Sequence, residues 1–193
     1  MGMLLSLWLP IVLSTVAVFV ASSIIWMALP IHKKDFLSAG EKEADVLSAL
    51  KSAAFPAGAY WVPWCQGPDP KDPVLAEKMK NGPWAIVTVM AGPPKMGSML
   101  GLWLFNLLLT SLFVGYVASA ALPQGADYLK VFQVVGATAF LAYAGNSLTL
   151  SIWQGMPWSQ LPGRLFDGVV YALLTAGIFG WLWPRPEVAL PGL

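Results

Sequence analysis

The sequence predicts an all-α membrane protein with four transmembrane helices and a polar insert between the first and the second. Hydrophobic residues make up 57% of the 193 residues, charged residues make up 11%, and the mean hydropathy is +0.65, a balance typical of membrane proteins. Four apolar runs are long enough to cross a hydrocarbon layer about 30 Å thick. We predict spans at residues 3–29, 98–121, 128–153 and 165–184, and the insert at residues 30–97.

The basic residues indicate how these spans are oriented. Eight of the eleven Lys and Arg residues lie between Lys33 and Lys95, and Arg164 falls on the same side, against Lys130 and Arg185 on the other. Because basic residues concentrate in cytoplasmic loops, this nine-to-two split predicts a cytoplasmic insert and both termini in the periplasm. The first run lacks the basic start and the cleavage site of a secretory signal, so we expect it to remain as a membrane anchor.

The fourth span carries a stripe of small residues that recur at every fourth position, which places them on one face of an α-helix. The members of this stripe are Gly168, Ala172, Ala176 and Gly180. Small residues let helix backbones approach closely, so we predict that the other spans pack on this one. Gly115 and Ser119 form a second small pair in the second span, and we expect the Ser119 hydroxyl to bond across to a neighbouring helix.

The insert is longer than a simple connection between two spans requires, and we predict that it folds. Val46, Leu47 and Leu50 recur at helical spacing and predict an amphipathic helix over residues 41–53. Asp72 followed by Pro73 predicts the start of a second short helix, since these are favoured residues at the N-cap and at the first helical position.

Two further stretches of the insert, residues 59–64 and 84–90, are rich in aromatic or β-branched residues and too short to span a membrane. They either pair as a short β-ribbon or lie at the membrane interface, and Pro63 argues against a central strand. Within and beside them, the candidate partner-binding residues are Trp61, Trp64 and Trp84. Packing on the membrane surface or inside the insert would use these tryptophans equally well.

Four polar side chains in or near the predicted spans are candidates for function, namely Asn106, Tyr143, Asn146 and Asp167. Polar groups inside membrane bundles commonly bond neighbouring helices, and they mark an ion or solute path when a buried charge is present. Asp167 follows Arg164 at i,i+3 spacing, so we expect the two to pair as an interfacial latch. The alternative is a small polar site formed by Asp167, Asn146 and Tyr143.

The titratable residues exclude several kinds of chemistry. His32 is the only histidine, so one chain cannot assemble a bis-histidine haem site or a histidine-rich metal centre. We expect His32 to be an interfacial side chain beside Lys33 and Lys34. The lone Cys65 forms no intrachain disulfide or dithiol redox pair. We therefore predict no catalytic residue, no metal and no cofactor, in a protein that is not an enzyme.

Four segments carry a family resemblance, namely residues 29–36, 77–83, 93–97 and 166–177, which include the runs IHKKD and FDGVVYALLTAG. Together they resemble a group of uncharacterised bacterial four-helix membrane proteins, and the likeness extends over most of the chain. The resemblance implies a bacterial inner membrane and an N-terminal helix followed by a polar insert. It implies no activity.

These observations favour a non-enzymatic membrane scaffold or accessory subunit of a larger complex. Its expected partners are the lipid bilayer and either other membrane subunits or a second copy of the chain, and no nucleic acid. The alternative is a small oligomeric transporter or channel that uses the polar residues of the third and fourth spans. The sequence places every acidic residue in the insert, in a turn or near a helix end. A coupling carboxylate would need to lie within the membrane, and for this reason the transporter ranks second.

Overall fold

The computed structural model describes residues 2–65 and 72–186 and is mostly helical. Four helical stretches are long and apolar enough to cross a membrane, as predicted: Trp8–Met27, Met96–Ala121, Tyr128–Trp153 and Trp158–Trp181. The α-helices are α1 (Gly2–Ser6), α2 (Trp8–Met27), α3 (Glu43–Ala53), α4 (Pro73–Asn81), α5 (Met96–Ala121), α6 (Tyr128–Ala144), α7 (Ser147–Trp153) and α8 (Leu161–Trp181). The strands are β1 (Gly58–Val62) and β2 (Ala85–Val89).

Several boundaries differ from those predicted. The first span is divided at Leu7 into the short α1 and the long α2, and the third is divided between α6 and α7 at Gly145 and Asn146. The fourth helix begins at Leu161 rather than at residue 165, because Pro162 lies in its first turn, where a missing backbone N–H leaves no bond unmade. Asp167 consequently lies in the second turn of α8 and not at its head.

The four long helices close into a ring. Helix α8 packs most extensively on α6 and next on α2, while α5 packs on α2 and α6. At the end away from the insert, the core is apolar and contains Leu7, Ile11, Val114, Val131 and Phe179. The outer faces of the helices expose many large apolar side chains, as a lipid-facing surface requires. The first and the last long helices in sequence, α2 and α8, are therefore in direct contact.

The small residues of α8 lie where the helices approach most closely. A Cβ atom on Gly168 would lie 2.5 Å from the Cβ of Ala144, and one on Gly180 would lie 2.8 Å from the ring of Tyr128. Ala172 and Ala176 are 5% and 0% exposed. Helix α6 therefore packs directly on this stripe.

The second small pair has two different roles. A Cβ atom on Gly115 would lie 3.3 Å from the side chains of Ile11 and Phe179, so this glycine gives both of them room. The Ser119 hydroxyl donates to the Tyr116 carbonyl of its own helix at 2.8 Å. The expected hydrogen bond from Ser119 to a neighbouring helix is therefore replaced by a local one, which a serine within a helix readily forms.

The insert contains a two-stranded antiparallel sheet in addition to its two helices, so the prediction of an all-α chain is wrong in this segment. Strands β1 and β2 pair with Tyr60 opposite Val87 and Trp61 opposite Ile86. Pro63 lies just after the last residue of β1, so its missing N–H removes no bond of the ladder. Of the two interpretations that the sequence left open, the ribbon is the one observed.

The insert has secondary structure but no core. None of the described residues from 36 to 65 and from 72 to 95 is buried. Helix α4 begins with Asp72, whose side chain accepts a hydrogen bond from the Val74 N–H at 2.8 Å, and α3 has no buried residue along its length. The short elements therefore hold their local shape without a shared apolar interior.

Candidate functional site

A polar cluster with two buried ionisable side chains lies at the end of the bundle that carries the insert, where the end of α2, the following turn and the beginning of α8 meet. It consists of Trp26 on α2, His32 and Asp35 on the turn, and Asp167 on α8, and we call it the His32 cluster. His32 and Asp167 are each 6% exposed. Two ionisable side chains are thus almost fully removed from water here, which is costly unless they are paired.

His32 lies between two carboxylates. Its Nδ1 atom is 2.7 Å from Asp35 Oδ2, and its Nε2 atom is 3.1 Å from both carboxylate oxygens of Asp167. A neutral imidazole carries only one N–H, so it donates to one carboxylate and turns a lone pair toward the other. Both short contacts are favourable at the same time only when the ring carries an N–H on each nitrogen.

Trp26 contacts both His32 and Asp167 and helps to position them. Its indole stacks on the His32 ring with the centroids 3.9 Å apart and the planes 3° from parallel. The indole Nε1 donates to Asp167 Oδ2 at 3.1 Å. Arg164 lies 5.8 Å from the centre of the Trp26 ring, within the range of a cation–π contact. Trp26 therefore shields the histidine from water and supplies Asp167 with a second donor.

The turn that carries His32 packs closely against the beginning of α8. A Cβ atom on Gly163 would lie 3.1 Å from His32 Cε1, so any larger residue there would displace the ring. The Gln160 amide donates to the backbone carbonyl of Asp35. The turn is thus fastened to α8 by backbone and side-chain contacts, and Gly163 lets it approach.

Opposing effects set the pKa of His32. Burial lowers the pKa by penalising the charged ring, whereas the hydrogen bonds to Asp35 and Asp167 and their negative charges raise it. The raising effects together outweigh burial, and the pKa lies above its ordinary value of 6.5. The ring therefore keeps its second proton at a pH at which a free histidine has lost it.

Buried polar groups continue from this cluster toward the centre of the bundle. Tyr171, one turn after Asp167 on α8, is 4% exposed. Its hydroxyl lies beside Trp26 and Ser22 but completes no hydrogen bond with any described residue. Ser22 accepts a hydrogen bond from Trp103 Nε1 at 3.0 Å. Helices α2, α5 and α8 are thereby connected through polar contacts.

Tyr143 on α6 extends this arrangement, because its ring meets that of Tyr171 edge-on with the centroids 5.5 Å apart. The Tyr143 hydroxyl lies beside Ser111 and Thr175, again without a completed hydrogen bond among the described residues. Ser14 donates to Ser111 at 3.2 Å. We call these residues the polar column: Ser14, Ser22, Trp103, Ser111, Tyr143, Tyr171 and Thr175.

The structure brings together only part of the predicted polar set. Tyr143 belongs to the polar column and Asp167 lies at its end, whereas Asn106 and Asn146 are exposed on the outside of the bundle. The predicted site of Asp167 with Asn146 and Tyr143 is therefore not formed. The two asparagines make no side-chain hydrogen bond within residues 2–65 and 72–186.

The expected pairing of Arg164 with Asp167 is wrong. Asp167 faces His32 and Trp26, while the Arg164 guanidinium lies 3.5 Å from the Gln160 amide oxygen. The i,i+3 spacing permits a pair along the helix, but burial of Asp167 against α2 directs its side chain inward. His32 is likewise a buried partner of Asp167 rather than a simple interfacial side chain. In the sequence, the local pattern that pointed to this site was the i,i+3 spacing of His32 and Asp35, which allows the two side chains to contact each other.

The remaining predicted residues lie in the insert. Trp61, Trp64 and Trp84 are 47%, 59% and 63% exposed, and the Trp84 Nε1 donates to the Met79 carbonyl at 2.8 Å. Cys65 is exposed. Among the residues that the structure describes, no three His, Cys, Asp or Glu side chains converge as metal ligands would.

Comparisons with protein-family models, with curated proteins and with solved structures find no match. The family resemblance drawn from the sequence therefore stays a prediction, and the functional argument depends on the geometry of the chain.

Proposed function

We propose that this chain is a non-enzymatic integral membrane scaffold or accessory subunit whose insert binds another protein. The observation that supports the proposal is the insert without a core, in which no described residue from 36 to 95 is buried. Helices of 11 and 9 residues and a single hairpin are marginally stable alone in water, since isolated helices shorter than about 12 residues rarely hold. An external surface would complete this fold.

The exposed tryptophans mark where such a surface would bind. Trp61, Trp64 and Trp84 lie on or beside the hairpin and each keeps about half or more of its surface exposed. Tryptophan contributes a large contact area with a polar N–H, and it is enriched at the energetic centres of protein interfaces. The bilayer surface also accommodates tryptophan, so the hairpin alone does not distinguish a protein from lipid.

Asn106 favours a protein partner over lipid alone. It lies within α5 and is exposed on the outer face of the bundle, where hydrocarbon offers its amide no hydrogen bond. Polar side chains on membrane helices commonly bond a neighbouring helix. The proposed interface therefore continues from the insert into the membrane, and its partner is another membrane subunit or a second copy.

We place the protein in the bacterial inner membrane with its insert in the cytoplasm and both termini in the periplasm. The supporting observations are the four helices of spanning length and the nine-to-two division of basic residues. The proposed partner then contacts the insert from the cytoplasmic side.

Site-specific photocrosslinking tests the partner proposal. A photoreactive amino acid at Asn106 or Trp84 should give a discrete crosslinked protein band in native membranes. The same group at Leu104, on a different face of α5 and 40% exposed, is the matched control and should crosslink mainly lipid. Equal crosslinking from Leu104 and Asn106, or purification only as a free monomer, would count against the scaffold proposal.

A second candidate is a small oligomeric transporter or channel. The specific observation in its favour is Asp167, which is buried with His32 at one end of a polar column contributed by all four long helices. The sequence ranked this function second because every acidic residue lies in the insert, in a turn or near a helix end, but Asp167, in the second turn of α8, is buried inside the bundle. Buried ionisable groups in membrane bundles are functional candidates. Proton or ion flux into liposomes, abolished by Asp167→Asn in a protein that still folds, would establish this candidate.

A further inference from the structure

We propose that His32, Asp35 and Asp167 form a binding site for one proton, and that this proton fastens the base of the insert to α8. The inference concerns how the insert is attached and does not rest on what the insert binds. His32 contacts one carboxylate through each ring nitrogen, at 2.7 Å and 3.1 Å.

The proton supplies the positive charge that His32 presents to both carboxylates. Within the part of the chain that the structure describes, the cation at ion-pair distance from Asp35 or Asp167 is His32. Arg164, the nearest arginine on α8, contacts Gln160 and the face of Trp26 instead. Loss of the proton would leave two buried carboxylates around a neutral ring, with one ring lone pair facing an oxygen.

The same proton joins two parts of the fold. Asp35 lies on the turn that begins the insert, whereas Asp167 lies on α8 and follows His32 by 135 residues in sequence. The contacts of His32 thus connect the base of the insert to the last spanning helix. Without the proton, one of the two contacts becomes repulsive, and the turn over residues 30–35 is expected to separate from α8.

The groups around the site set its pH dependence. On the turn, Asp35 is the titratable neighbour, and exposed Lys33 and Lys34 lie between it and His32 along the chain. On α8 the charged or titratable neighbours are Asp167, Arg164 and Tyr171. Trp26, from α2, contributes no charge. The two carboxylates in direct contact outweigh the more distant cations, so the site keeps its proton at a pH at which a free histidine has lost it.

The single histidine makes the proton directly observable. Because His32 is the only histidine, ¹⁵N-histidine labelling of the chain, purified with a tag that lacks histidine, gives resonances from this one ring. We expect the ring to lose its second proton with a titration midpoint above 6.5, the ordinary value for histidine. Asp167→Asn should lower that midpoint by about one unit or more, the usual effect of losing an adjacent opposite charge. A titration midpoint at or below 6.5, or a midpoint that Asp167→Asn and Asp35→Asn both leave unchanged, would overturn the proposal.

Limited trypsin digestion tests whether the proton holds the turn. Cleavage after Lys33 is measured relative to cleavage after Lys51 on exposed α3, so that changes in protease activity with pH cancel. We expect this ratio to rise several-fold between pH 7 and pH 9 in the wild-type chain. In Asp167→Asn it should already be high at pH 7, while Lys34→Gln, which leaves the three groups intact, should keep the wild-type pH dependence.

A folding control keeps both measurements interpretable. Circular dichroism and gel filtration in detergent identify variants that have lost the bundle, and Asp35→Asn, which alters the turn and not α8, replaces Asp167→Asn if the latter unfolds. A ratio that stays constant between pH 7 and pH 9 in the folded wild-type protein would show that the proton does not fasten the insert.

Discussion

Asp167→Asn is the substitution that most directly tests the buried cluster. Asparagine keeps the size of the side chain and one acceptor oxygen, but it removes the charge and places an amide N–H₂ where a carboxylate oxygen had been. Asp167 accepts from both His32 and Trp26 at 3.1 Å, and its side chain is 9% exposed. The substitution therefore disrupts the charge-assisted pair of Asp167 with His32, which is buried away from water.

The expected magnitude follows from this burial. A hydrogen bond to a charged group contributes about 1.5 to 3 kcal/mol, whereas an exposed ion pair contributes about 1 kcal/mol or less. Since His32 retains Asp35 and the new amide oxygen still accepts from Trp26, we expect Asp167→Asn to lower the free energy of unfolding by about 2 to 3 kcal/mol. The interfacial latch with Arg164 that the sequence suggested would have predicted a loss of about 1 kcal/mol at most.

Reversible unfolding in mixed detergent micelles, followed by circular dichroism at pH 7, measures this difference. Asp127→Asn is the matched control, because Asp127 also precedes a spanning helix but is exposed and forms no capping hydrogen bond. It should change stability by about 0.5 kcal/mol or less, as surface substitutions usually do. Equal losses for the two variants would refute the assignment of Asp167 to a buried ion pair.

The remaining predictions concern packing, pH and orientation. Gly168→Ala should destabilise the bundle by about 1 to 3 kcal/mol in the same assay, because the new Cβ would meet that of a facing alanine at 2.5 Å, whereas Leu173→Phe on the exposed side should have little effect. The pKa of His32 is raised, so protonation of this ring stabilises the fold fully below about pH 6.5, and the stabilisation is lost as the pH rises through the folded-state pKa. The free energy of unfolding, measured from pH 6 to pH 9, should therefore fall. The fall should be smaller in Asp167→Asn. A cysteine at Ser52, with Cys65→Ser, should resist membrane-impermeant reagents in intact cells, and labelling from the periplasm would reverse the proposed orientation.

Local patterns were sufficient for the spanning helices. Each apolar run identifies a helix because hydrocarbon leaves the backbone no other way to satisfy its hydrogen bonds. The small residues of α8 likewise reveal a packing face through their spacing alone. Hydropathy is continuous across Gly145 and does not reveal the break there, and Pro162 does not reveal the extra turn of α8 because proline suits both a loop and the first turn of a helix.

The buried cluster could not be derived in the same way. The contact of His32 with Asp167 joins residues far apart in sequence, and no spacing rule connects them. The i,i+3 spacing predicted Arg164 as the partner of Asp167. This prediction was wrong because the spacing does not depend on which side of the helix is buried. The sheet was easier to anticipate than the cluster, because the composition of both strands allowed a ribbon. The structure added the pairing of β1 with β2.

The contact between α2 and α8 also has a consequence for biosynthesis. Since Asp167 follows His32 by 135 residues, translation at about 5 to 20 residues per second leaves roughly 7 to 27 seconds between the two. During that interval the nascent chain has its histidine and Asp35 but lacks the helix that encloses them. Closure of the ring is thus a late event in the folding of the chain, and a ribosome that stalled before α8 would leave the base of the insert accessible to quality-control proteases.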